Sequence, residues 1–190
     1  ILEYFKYFKD DRLFEPGKKT IATFFRRSVS IAGYTVNRKL AIKYNTDIFD
    51  GTLLYQLYLS GMILNESNGY YISDTIAIMR KDSNLNPTHF FGTAEAEKNR
   101  FEVGKLESNH SINFMKGMFE IAAYVEEKND IRGLKTLIMR DIGNYSYPIF
   151  AYQSSNGKIK FFLYFLKLLK MGLWKGVLFY IYFIGLFIFG

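Results

Sequence analysis

Between Ser111 and Lys128 the apolar residues Ile112, Met115, Met118, Phe119, Ala122 and Val125 recur at steps of three and four. That is the period of a helix that turns one face to a core. The same reading gives an amphipathic helix over residues 1–15, with Leu2, Phe5, Phe8 and Leu13 on one side and a stop before Pro16-Gly17. A second short helix spans Thr20 to Arg27. Ser30 to Val36, β-branched and aromatic, predicts a strand, and its interior Gly33 suggests close approach of another backbone or a ligand. Asn37 to Lys43 reads as a turn plus one helical turn. Leu53, Leu54, Leu57 and Tyr58 then predict a helix opened by Asp50 and closed at Gly61 by a left-handed cap. Met62–Leu64 and Tyr70–Met79 read as strands joined by a loop over Asn65–Gly69. The polar run from Arg80 to Gly92 predicts a loop. A helix from Leu134 to Ile142 ends at Gly143, with a turn over Asn144–Pro148.

The C-terminal segment has a different pattern. Lys160, Lys167 and Lys170 share one side of a helix whose other side carries Phe161, Phe162, Phe165, Leu166 and Leu169. This is the form of a helix lying in a membrane interface. Gly176 to Phe189 follows as fourteen uncharged, apolar residues. At 1.5 Å per residue they reach about 21 Å, short of a hydrocarbon core of about 30 Å. A hairpin, a monotopic anchor or a truncated span would fit, and so would a buried helix of a soluble core. Trp174 and Lys175 stand at its start as interface anchors do.

Composition narrows the chemistry. The 190 residues are 49% hydrophobic and 23% charged, inside the globular range. With no cysteine, disulfides, thiol nucleophiles and thiolate metal sites are excluded. His89 and His110 are the only histidines, and neither has a second at metal-ligand spacing, so no metal site is predicted. The net charge is +7, and residues 156–190 hold Lys158, Lys160, Lys167, Lys170 and Lys175 with no acid. Charge so placed points to an anionic membrane surface and not to nucleic acid, which calls for a basic face on the folded body. The chain opens on Ile1 with no basic-then-apolar leader and reads as a piece of a longer protein.

Asp50 is the residue with candidate chemistry. As an N-cap it would accept hydrogen bonds from Thr52 or Leu53; as an ionised carboxylate it could also take a proton, and the two roles are compatible. The stretch Phe49-Asp50-Gly51-Thr52-Leu53…Gln56…Gly61 resembles the acceptor-side motif of glycosyltransferase family 2, acid-acid-x-x-Leu-x-x-Arg-Leu-x-x-x-Gly. Phe49 stands where the family has its first acid, and Gln56 where it has arginine. The upstream run Ser30–Ala41 is similar to the strand and turn that floor the family's acceptor site, so the resemblance covers about residues 28–80.

The resemblance implies an α/β fold, a partial GT-A-like (Rossmann-like) sheet with a helical C-terminal region and an apolar membrane-associated tail. It places an incomplete acceptor-side part of the catalytic domain over residues 1–107, a helical extension over 108–155, and basic amphipathic and apolar membrane-associated helices over 156–190. The implied reaction is inverting transfer of a sugar from a nucleotide-sugar donor to a membrane-associated glycan or lipid-linked acceptor. Asp50 would be the general base, and Gly33, Asn37, Gln56, Arg80 and His89 would line the substrate site. A divalent cation, magnesium or manganese, is implied for the longer enzyme, with ligands outside this chain. Asp10-Asp11 does not supply them, because it lies on a polar helix face and not at the end of a buried strand. The chain alone would be inactive, at the cytoplasmic face of the cell membrane, peripheral or monotopic. The competing expectation is a non-catalytic, membrane-tethered binding module in which Asp50 is only a cap.

Overall fold

A computed structural model of the chain describes residues 7–29, 33–74, 95–98 and 108–190, and these are 66% helical. The helices are α1 (Lys18–Phe25), α2 (Arg38–Lys43), α3 (Tyr55–Glu66), α4 (Ser108–Lys128), α5 (Leu134–Asn144), α6 (Tyr147–Ser154), α7 (Lys158–Lys170) and α8 (Val177–Phe189). Strands β1 (Arg12–Phe14) and β2 (Gly69–Tyr71) pair antiparallel with Arg12 opposite Tyr71 and Phe14 opposite Gly69. They form the one sheet among the described residues.

The Rossmann-like α/β architecture implied by the family resemblance is therefore overturned. Its expected strands went elsewhere for identifiable reasons. Met62–Leu64 continues α3, because Leu57 through Ile63 are all buried and a helix surrounded by neighbours needs apolar residues on every side. Tyr34–Val36 form no strand, and Ser30–Ala32 lie outside the described residues. Of the strand expected over Tyr70–Met79, only the start is seen, since residues 75–79 also lie outside them. The helix expected over residues 1–15 is replaced, in its described part, by β1. Aromatic contacts override the local period there: Phe8 meets Phe14 and Tyr71 at 5.4 and 5.0 Å between ring centroids, and Phe14 meets Phe24 at 4.8 Å. Asp11 fastens the far end by accepting from Ser73 N and Oγ at 2.8 and 2.6 Å, which holds its carboxyl below the usual range.

Helix α4 is the centre of the helical body. Its stripe Ile112, Met115, Met118, Phe119, Ala122 and Val125, with Ile121, is buried against α3, α5 and α7. Helix α1 packs on α3 and α5, where Arg26 Nε bonds Asp141 Oδ2 at 2.7 Å and the guanidinium stacks 3.8 Å from the Tyr145 ring. The turn expected over Asn144–Pro148 is shorter than the sequence suggested, because Pro148 sits in the first turn of α6, where a missing N–H costs nothing.

Nor does the C-terminal segment form an apolar tail apart from the body. Helix α8 packs on α5, α6 and α7, with Phe179 fully buried. Phe165 of α7 stacks on Phe183 at 3.8 Å and on Phe179 at 5.1 Å. Among the described residues no helix is long and apolar enough to cross a membrane.

Gly61, expected as a helix cap, lies inside α3 at its contact with α4. A Cβ there would stand 2.7 Å from Val125 Cγ2 and 2.9 Å from Cγ1. Gly61→Ala should therefore destabilise the fold by about 1–3 kcal/mol, overpacking outweighing a helix-propensity gain of up to about 1 kcal/mol. Urea unfolding checks this, and Gly61→Ala combined with Val125→Ala should cost less than the two singly summed.

Candidate functional site

Asp50 lies in a turn, not at a helix terminus. Its N–H donates to Asp47 O at 3.0 Å, and Thr52 N donates to Phe49 O at 3.2 Å. Helix α3 begins at Tyr55, and the side chain that supports its entry is Thr52, whose Oγ1 accepts from Leu54 N at 3.2 Å. Phe49 is buried, with its ring 5.0 Å from Tyr58 and 5.2 Å from Tyr124. The residue that replaces the first acid of the family motif thus serves the core. Asp50 itself is exposed.

With Asn45, Thr46, Asp47 and Tyr55, Asp50 lines an open depression of about 490 Å³. Tyr55 closes its floor by donating to Asn45 Oδ1 at 3.0 Å and accepting from Thr46 N at 3.1 Å. Two carboxylates facing an open polar hollow suit a hydroxyl-bearing ligand. Among the described residues no group of three or more histidine, aspartate and glutamate side chains converges.

Of the other predicted site residues, the described ones, Gly33, Asn37 and Gln56, do not line that hollow. Gly33 stands in a turn with φ 77°. Asn37 caps α2, its Oδ1 accepting from Lys39 N at 2.9 Å and Leu40 N at 3.3 Å. Gln56 ties the chain after α1 to α3: Nε2 donates to Val29 O at 2.8 Å, and the main-chain carbonyl of Gln56 accepts from Tyr34 Oη at 3.3 Å. Ser60 Oγ donates in turn to Tyr34 Oη at 2.9 Å, and burial pushes the Tyr34 hydroxyl pKa up. Arg80 and His89 lie outside the described residues. Asp47 and Tyr55 had not been singled out in the sequence, though their closeness to Asp50 in the chain was a usable signal.

A larger feature is the outer face of the α7–α8 hairpin. Val177, Ile181, Ile184 and Ile188, at steps of four, three and four, are each more than half exposed. Alongside run Ile159 and Leu163 of α7, also more than half exposed, with Phe162 and Leu166. The Phe162 and Phe187 rings, 6.3 Å apart, join the two stripes into one surface. At its turn Trp174 is half exposed. Monomeric proteins rarely leave so continuous an apolar face to water.

Compared with known proteins, the chain matches no family model, no curated protein and no solved structure. Nothing in these comparisons points to glycosyltransferase family 2.

The geometry makes Gln56 a tie between segments, so Gln56→Ala, which leaves Val29 O unpaired, should lower stability by about 1–2 kcal/mol. Equilibrium unfolding measures this; unchanged stability would release Gln56 from the structural role.

Proposed function

We propose that the protein is a membrane-surface module: its α7–α8 hairpin lies in the bilayer interface and holds the helical body there as a platform for a partner. The observation that carries this reading is the exposed apolar face of Ile159, Leu163, Val177, Ile181, Ile184 and Ile188. In water this face is unfavourable by roughly 25 cal/mol for each Å² left uncovered. Helix α8, with 13 residues and a length of about 20 Å, fits a helix lying in the interface better than one crossing the bilayer.

Co-sedimentation with lipid vesicles tests this. The wild-type chain should bind. Ile181→Asp combined with Ile184→Asp, at exposed positions where folding is untouched, should weaken binding on the order of 100-fold, because two half-buried isoleucines contribute about 1.5 kcal/mol each. Equal binding by the variant would remove the hairpin face from the interaction.

A second reading, transfer of a sugar from a nucleotide donor to a membrane-associated acceptor with Asp50 as general base, keeps one observation in its favour. Asp50 stands exposed beside Asp47 in an open polar hollow that an acceptor hydroxyl can enter. In a transferase carrying this chain, Asp50→Asn should then cut turnover by about 10²–10⁴-fold without loss of folding. Turnover within a factor of two of wild type would end the base assignment.

A further inference from the structure

The hairpin's lysines are arranged around its apolar face. Lys160 and Lys167 are seven residues apart and so share one side of α7, next to the stripe of Ile159 and Leu163. Lys158 stands at the open end of the hairpin, its Nζ 5.9 Å from the centre of the Phe187 ring. Lys170 and Lys175 stand on either side of Trp174 at the turn, where Lys175 Nζ donates to Thr136 Oγ1 at 3.1 Å. No aspartate or glutamate occurs between residues 156 and 190.

Resting on the membrane reading above, we infer that this face selects bilayers whose headgroups are anionic. The apolar stripes enter the interface, and the lysine stems follow them and carry their ammonium groups to the level of the lipid phosphates. Apolar burial alone would be indifferent to headgroup charge. The lysines around its edge make it sensitive, by about fivefold in affinity for each one that reaches an anionic surface. The attraction is one of exposed charges and falls as salt shortens the screening length.

The test uses the full chain, vesicles of phosphatidylcholine alone, vesicles of equal parts phosphatidylcholine and phosphatidylglycerol, and the exposed-site variant Lys160→Gln, Lys167→Gln, Lys170→Gln. The wild type should bind the mixed vesicles at least 50-fold more tightly than the neutral ones, and less tightly as salt is raised. The triple variant should lose about 100-fold on mixed vesicles and change little on neutral ones. Equal wild-type binding to both compositions would overturn the charge selection and leave membrane attachment standing. Undiminished binding of the triple variant to mixed vesicles would overturn the role of these lysines. Binding to neither composition would overturn both this inference and the reading beneath it.

Discussion

The orientation of the C-terminal hairpin depends on two glycines. Gly143, near the end of α5, and Gly176, just before α8, bring their backbones together so closely that a Cβ on Gly176 would lie 2.6 Å from Asn144 N, and one on Gly143 would collide with the carbonyl oxygen of Leu173. Two bonds across the same junction reinforce it: Leu178 N donates to Asn144 Oδ1 at 3.1 Å, and Lys175 Nζ donates to Thr136 Oγ1. With the start of α8 fixed in this way, the direction of each side chain along it follows from the helical period. Phe179 turns inward to Phe150, 5.1 Å away, and Val177, Ile181, Ile184 and Ile188 must turn outward. The uncovered apolar face is thus a consequence of how the hairpin is clamped.

The body beneath it is helical because each of its faces finds a helical neighbour. Helix α3 is buried over a continuous run, which a helix accommodates only when it is surrounded, and α1 and α4 enclose it together with α2. Between α1 and α5 the partly buried Arg26–Asp141 pair, stacked on Tyr145, fixes the register of two helices distant in sequence. A single hydrogen bond joins the two charges there, so specificity of docking is its clearer contribution.

Periodicity in the sequence reveals the elements that pack on one face. Helices α4, α5 and α7 were legible for that reason. Elements decided by contacts far along the chain were not. Residues 12–14 pair with residues 69–71 through an aromatic cluster that no local pattern announces. A glycine that admits a neighbouring valine, as Gly61 does, looks the same in sequence as one that ends a helix. Met62–Leu64 is a short apolar run, and such runs are ambiguous between buried strand and buried helix until length and surroundings are known. At Asp50 the expected helix cap lies four residues before the observed one, Leu54.

That displacement has a physical origin in Leu53. With φ 62° it occupies the left-handed region, which costs a residue with a Cβ about 1–2 kcal/mol. The reversal it creates lets both of its neighbours face inward: Thr52 is 2% exposed and Leu54 is fully buried, while Phe49 enters the Tyr58–Tyr124 cluster. Burial of Leu54 and Phe49 more than offsets the strain, at about 1.5–3 kcal/mol for each large apolar group. A strained backbone beside a carboxylate is often taken as a mark of catalysis. Here core packing accounts for the strain, and the exposed position of Asp50 follows from the same turn that sends its neighbours inward.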